Sequence, residues 1–257
     1  MPVFSHSRIL SYETCPLRYK YAYVDEIIPE EETAETYLGT RVHEALEKLY
    51  RDLEYGKPMS KKELLSFFNR EWERNLTDAI VIVGEEFSQE DYRKMGEQYL
   101  KDYYKRYKPF REGKVVDLEI TDYLTLDKVG QYSYFIRIDR LMDAGDGLYE
   151  IHDYKTNTEL PAQKSLDEDR QLAMYSIWVR QEFEDCRDVR LVWHFLAFDK
   201  EMDSYRTEEQ LEHLRQDVLA NIKAIDAAKK FPANASRLCV WCLYKRICPV
   251  GNQIEGA

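Results

Sequence analysis

Four of the five cysteines in this chain stand where one metal centre can gather them. Cys15 lies near the start, and Cys239, Cys242 and Cys248 form a C-x2-C-x5-C run near the end. No other feature constrains the fold as much, because a shared centre would clasp segments more than two hundred residues apart. Four soft thiolates suit either a 4Fe–4S cluster or tetrahedral Zn2+. Structural zinc sites usually come as two close pairs, whereas here one ligand is alone and remote, an asymmetry that favours the cluster. Its expected role is structural: residues 1–25 and 231–250 would form an iron–sulfur clasp. An odd cysteine count argues for metal ligation over a disulfide framework, and the fifth, Cys186, reads as a packed thiol.

The 257 residues suffice for one domain with a full core, and a hydrophobic content of 44% sets disorder aside. No stretch approaches the length of a membrane span. The segment MPVFSHSRIL has neither the apolar run nor the cleavage site of a signal peptide, so a cytoplasmic protein is expected. A net charge of −11 argues against broad, non-specific duplex binding, which needs a basic face. It leaves room for a local basic groove, for metal ions that offset carboxylates, or for a partner that supplies affinity.

Period and punctuation divide the chain into helices and strands. Residues 1–25 read as short helical pieces, with Ser7 as a cap and Cys15-Pro16 as a break. Residues 39–51 carry Val42, Ala45, Leu46 and Leu49 on one helical stripe. Ser60 with Glu63, and more weakly Ser88 with Asp91, are capping boxes that open two further helices. Residues 52–114 are therefore expected to be a helical insertion within a single domain spanning 1–257. Beyond Pro109 the period becomes two: Leu118, Ile120, Leu124 and Leu126 alternate along a strand over 115–126. Two more strands, 132–143 and 148–155, join through Ala144-Gly145-Asp146-Gly147. An amphipathic helix follows over 167–184. The largely apolar run 188–198 then reads as a central strand buried on both faces. The last long helix opens at Thr207, with Gln210 completing a capping box. The fold class is α/β, a mixed central sheet flanked by helices.

Acidic residues and a lysine concentrate at the joined strands. Asp153 and Lys155 are two apart, so they leave one face of a strand. If the turn centres on Asp146, Asp139 falls directly across from Asp153; a one-residue slip would move it to the other face. Two carboxylates and an amine converging there can hold Mg2+ or Mn2+ through hard oxygens and leave coordination open for water and phosphate. Alone, Asp-x-Lys on a strand is a common surface charge pair. Its company changes the reading. His43 sits one residue off its helix's apolar stripe, where it is either a partly buried, hydrogen-bonded histidine or a ligand. Glu47, one turn on, can orient it or add a ligand. Gln171 and Tyr175, at i and i+4, share a helical face and can hydrogen-bond phosphate or a nucleophilic water, or simply face the core. The stretch KDYYKRYKPFR, 101–111, interleaves bases and aromatics, a pattern of single-strand-binding surfaces and equally of a solvated helix end with core-facing tyrosines.

Taken in order, GTRVHEALEKLY, RIDR, DYKT, QLAMY and C-x2-C-x5-C-P resemble the RecB-type nucleases of the PD-(D/E)XK superfamily. So does the run from Ser7 through Tyr12, Cys15, Pro16 and Tyr19 to Tyr21. Within that group the chain is most similar to the iron–sulfur members, the AddB-type nuclease domains and the CRISPR adaptation nucleases. The resemblance implies a restriction-endonuclease-like core, with His43, Asp139, Asp153 and the carbonyl of Tyr154 as metal ligands and Lys155 as the catalytic lysine. Gln171 and Tyr175 would contact DNA and order the site, and Cys15, Cys239, Cys242 and Cys248 would hold a 4Fe–4S cluster. The glycine that the family often carries three residues before the first aspartate is Ile136 here, which can narrow the site without removing a ligand. The expected activity is Mg2+- or Mn2+-dependent DNA hydrolysis, exonucleolytic on single-stranded or frayed ends, in DNA repair, recombination or CRISPR adaptation. Lacking a Walker A sequence, the chain would take any unwinding from a partner helicase. The competing expectation is a vestigial nuclease-fold binding module held by the four cysteines, which the intact Asp139, Asp153, Lys155 and His43 oppose.

Overall fold

The computed structural model describes residues 3–84 and 86–251; the outermost residues of the expected domain, and of the expected clasp segment 1–25, lie outside them. Along the chain run β1 (Val3–Phe4), α1 (His6–Thr14), α2 (Pro16–Tyr19), β2 (Glu32–Thr33), α3 (Ala34–Glu54), α4 (Lys61–Asn75), β3 (Ile80–Val81) and α5 (Gln89–Tyr107). Then come β4 (Lys114–Thr125), β5 (Ser133–Gly145), β6 (Leu148–Lys155), α6 (Gln163–Asp167), α7 (Gln171–Glu182), β7 (Asp188–Phe195), β8 (Lys200–Ser204) and α8 (Glu208–Asp226). No helix among the described residues is long and apolar enough to cross a membrane.

The capping boxes at Ser60, Ser88 and Thr207 all form, each satisfying two orphan donors at a helix start. The first helix is capped by Ser5, not Ser7: the Ser5 hydroxyl accepts the Arg8 N–H, and Ser7 lies inside the first turn. Helix α3 begins before residue 39 because Thr33 caps it and its buried stripe reaches back through Leu38 and Tyr37 to Ala34. The helix expected over 167–184 is α7, which begins only at Gln171, after the short α6 has ended at Asp167. It is also not amphipathic, since every residue from Leu172 to Val179 is buried. The cause is its position, against β6 and β7 on one side and α8 on the other.

The sheet is mixed. Strand β5 pairs antiparallel with β4 and β6, β6 runs parallel to β7, and β8 closes the far side antiparallel to β7. The apolar run 188–198 is therefore interior as far as Phe195 and then leaves the sheet in a 3-10 turn, Leu196–Phe198. One edge of β5 belongs to β4, and the other is shared between β1, at Ser133 and Tyr134, and β6, from Arg140 to Gly145. Residues 135–139 have no ladder partner on that second edge among the described residues. Strand β6 continues along β7 to Lys155, so β5 and β6 part company at that point.

The hairpin register follows from its turn and one bulge: Gly145 pairs with Leu148, and the ladder shifts by a residue before Asp143 pairs with Tyr149. Asp146 and Gly147 both have positive φ, 53° and 78°, the two-residue type I′ geometry whose twist matches the flanking strands. At Gly147 a Cβ would stand 2.5 Å from the Asp185 carbonyl oxygen, so glycine is required there. Two buried clusters flank this frame. One packs α7 and α8 on the sheet; the other joins α3, α4 and α5 to Leu118, Met142 and Tyr154. Tyr103, Tyr104 and Phe110 belong to the second, so the core-facing reading of 101–111 holds for these rings.

Candidate active site

The site forms where β5 and β6 separate. Their last ladder pair is Arg140 with His152, and continuing that register sets Asp139 across from Asp153. Tyr154, without a β5 partner, turns both main-chain groups to side chains instead. Its N–H donates to Asp139 Oδ2 at 2.9 Å, and its carbonyl accepts from His43 Nε2 at 2.8 Å. Helix α3 supplies His43 from the margin of its buried stripe, with Nδ1 3.4 Å from Asp139 Oδ2. Gly39 lets that helix approach, because a Cβ there would already be 3.3 Å from Thr156 Oγ1. Glu47 takes no part: it pairs with Arg51, one turn further along the exposed face.

Lys155 closes the other side. Its Nζ lies 2.7 Å from Asp153 Oδ2 and donates to Gln171 Oε1 at 3.2 Å, while Gln171 Nε2 donates to the Tyr175 hydroxyl at 3.4 Å. All four residues from β6 and α7 that motif spacing singled out are thus joined in one chain of contacts. The Lys155 ammonium is thus the cation that faces the buried Asp153 carboxylate oxygen.

Burial and charge set the protonation states. Burial opposes charge on His43, but the Asp139 carboxylate, with Asp153 and the Tyr154 carbonyl, outweighs it and raises the imidazole to about 9. Burial likewise opposes ionisation of Asp139, yet His43 and the Tyr154 N–H hold its carboxyl below the ordinary value. Asp153 moves the other way: its burial outweighs the relief that Lys155 brings, and the Asp139 charge raises it further. Lys155 is raised, because Asp153 and Asp139 overcome its desolvation, so it acts as a fixed cation and not as a base. Burial pushes the Tyr175 phenol up to about 12, keeping it a hydrogen-bond donor.

One further residue escaped sequence reasoning. Glu119 on β4 sits between Leu118, paired with Arg140, and Ile120, paired with Ile138, so it lies beside Asp139. Its φ is 51°, and single ligand atoms of His43, Glu119 and Asp139 all lie within 4.8 Å of one another. Arg137 donates to its Oε2 at 3.2 Å. An acid between two apolar residues of an alternating strand is the ordinary solvent-facing pattern, so no local signal marks it. Imidazole nitrogen with carboxylate oxygens is a donor set that fits a divalent cation.

The four cysteines line one cavity of about 40 Å3, together with Arg18 and Tyr21. The Asn234 and Ser236 N–H groups donate to Cys15 Sγ and Cys239 Sγ, each at 3.4 Å. No three of the sulfurs come within 4.8 Å of one another. The four thiolates thus share a cavity without being gathered into the single centre expected of them. Cys186 is elsewhere, its Sγ 3.6 Å from the Asp188 carbonyl.

A family model described as the PD-(D/E)XK nuclease superfamily matches residues 3–249. Among solved structures, a "putative exonuclease" from Eubacterium rectale is 14% identical, covers 99% of this chain and 94% of its own, and superposes with a TM-score of 0.55. At that identity the likeness speaks for the fold alone. A second, SSO0001, is 14% identical over 97% of this chain and 86% of its own, with a TM-score of 0.40, too low to weigh. No curated protein matches the sequence.

Proposed function

The chain belongs to the PD-(D/E)XK nuclease superfamily, and from that premise we propose that it is a Mg2+- or Mn2+-dependent deoxyribonuclease. The observation that carries the reading is the convergence of Asp139, Asp153, Lys155 and His43 where two strands part. Residues His43, Asp139 and Asp153, with the Tyr154 carbonyl, would hold the cation, which when bound activates water and polarises the phosphate. To serve as a ligand His43 would have to give up the proton that Asp139 favours on it. Lys155 presents a fixed positive charge to the phosphoryl oxygens as negative charge develops on them. Gln171 holds the ammonium in place and Tyr175 orients Gln171, so both act on the reaction through Lys155 as well as by donating to DNA phosphate.

Exonucleolytic action on single-stranded or frayed ends is the finer reading. It draws on the description of the Eubacterium rectale protein and on the net charge of −11, which disfavours a broad duplex grip. We read the cysteine cavity as the seat of a 4Fe–4S cluster tying residues 1–25 to 231–250, within one domain whose residues 52–114 form a helical insertion. Its support is the shared cavity and the N–H donors to two sulfurs. A role in repair, recombination or CRISPR adaptation, with a partner helicase or adaptation protein, accords with the family resemblance.

The test is cleavage of end-labelled single- and double-stranded DNA with Mg2+ or Mn2+, beside Asp153→Ala, with visible absorbance recorded on the same anaerobic preparation. Metal-dependent cleavage lost in the variant supports the enzyme, and the product ladder gives polarity. A brown, cluster-loaded protein that cuts no DNA would overturn it.

A further inference from the structure

We propose that Tyr107, at the end of α5, is a positioning residue: through His194 it fixes the Tyr154 ring, and with that ring the two main-chain groups that hold Asp139 and His43. The inference rests on the metal-dependent reading above and deepens it. Along β6, Asp153 and Lys155 leave one face, while Glu150, His152 and Tyr154 leave the other, toward α5. On that second face six side chains close a circuit. The Tyr107 hydroxyl donates to Glu201 Oε2 at 2.6 Å and meets His194 Nδ1 at 3.0 Å. His194 Nε2 lies 2.8 Å from His152 Nδ1, and His152 Nε2 lies 3.2 Å from Glu150 Oε2. Arg190 completes the circuit, donating to Glu150 Oε1 at 3.0 Å and to Glu201 Oε1 at 3.1 Å.

The Tyr107 hydroxyl sets the direction of these bonds. Having given its hydrogen to Glu201, its oxygen can only accept, so His194 carries hydrogen on Nδ1. Burial keeps His194 neutral, which leaves its Nε2 to accept from His152 Nδ1. Buried ionic networks add little net stability over apolar packing, so what this one contributes is a single fixed arrangement of α5 against the sheet.

Tyr154 sits against this circuit. It pairs with His194 across the β6–β7 ladder, and its ring centroid lies 5.2 Å from that of the imidazole. The Tyr103 ring, also from α5, meets it edge-on at 5.7 Å, and the Arg140 guanidinium stands 5.8 Å from it. A ring held on three sides cannot turn, and the peptide groups that flank it keep their direction with it. Those are the N–H that donates to Asp139 and the carbonyl that accepts from His43. The tyrosines of α5 therefore brace the site from behind, on the face of β6 turned away from Lys155.

The experiment compares Tyr107→Phe with Tyr104→Phe in the full-length protein. Each loses one hydroxyl of α5, but the Tyr104 hydroxyl donates to the Met59 carbonyl at 2.8 Å and has no part in the circuit. In the metal-free protein, the imidazole nitrogen resonances of His43 in the nuclear magnetic resonance spectrum should shift in Tyr107→Phe and stay in place in Tyr104→Phe. With Mn2+ added, Tyr107→Phe should lose about tenfold in metal affinity and about 10–100-fold in kcat, while KM for single-stranded DNA holds. His43 resonances that stay at their wild-type positions in Tyr107→Phe, or that move equally in both variants, overturn the proposal whether or not the protein cuts DNA. A wild type that binds no Mn2+ and cuts nothing sinks the nuclease reading alone, and the His43 resonances still decide the positioning role. If Tyr107→Phe does not fold, the wild type decides: a spectrum with the His194 hydrogen on Nε2 instead of Nδ1 overturns the assignment.

Discussion

In the metal-free protein, His43 should make stability fall as pH rises from 6.5 to 9. Its imidazole titrates at 6.5 in the unfolded chain and about 9 in the fold, where Asp139 stands 3.4 Å from Nδ1. The folded state therefore binds the extra proton, and the stabilisation is fully present below pH 6.5 and gone once pH passes the folded value. Each pKa unit corresponds to about 1.4 kcal/mol, so the difference amounts to roughly 3 kcal/mol. A quarter of the side chain is exposed, and solvent screening draws that figure toward about 2 kcal/mol. Buried His152 and His194 act in the opposite sense. Burial holds both well below 6.5, so their contribution is lost only as pH drops beneath that value. Urea unfolding in EDTA at pH 6.5, 7.5, 8.5 and about 9, for wild type and His43→Gln, isolates the term. The wild-type curve should decline by ~2–3 kcal/mol relative to the variant. Because Mn2+ must displace the same proton, its affinity should climb up to about tenfold per pH unit across this range. Parallel stability curves for the two proteins would refute the reasoning, since they would mean His43 is neutral in the fold.

Other outcomes follow from the same geometry. Lys155→Met should lower kcat by roughly 10²–10³-fold without weakening Mn2+ binding, because it removes a cation from the phosphate and not a ligand; weaker Mn2+ binding would assign Lys155 to holding the site instead. Gln171→Ala should cost about 10–100-fold in kcat through loosened Lys155, and Mn2+ affinity measured alongside should hardly move. Gly147→Ala forces a Cβ to within 2.5 Å of the Asp185 carbonyl at φ 78°, so a loss of ~1–3 kcal/mol in urea unfolding is expected. Cys15→Ser should abolish the visible absorbance of the anaerobically purified protein while Cys186→Ser leaves it intact, since only the first lines the shared cavity.

Local chemistry made a large part of this structure legible in advance. Side-chain oxygens three residues from an acid or amide can only close a helix start in a few ways, so Ser60, Ser88 and Thr207 announced their helices. The Asp146-Gly147 pair announced the hairpin turn, but Asp139 stands across from Asp153 only because the ladder shifts by one residue between Gly145 and Asp143. His43 at the margin of an apolar stripe was visible by helical periodicity. These are relations between residues near each other along the chain.

What escaped depends on neighbours from afar. The burial of α7 on all sides reflects α8 and the sheet closing over it, which no periodicity of its own residues encodes. Glu47 is a surface partner of Arg51, one helical turn along α3 beyond His43. Glu119 lies beside Asp139 only because β4 takes one edge of β5 while β6 leaves the other, and its sequence context is that of any solvent-facing acid. Hydrogen bonding and backbone geometry act over a few residues and are written locally. The meeting of three strands and a helix at one point is decided by how their buried faces pack.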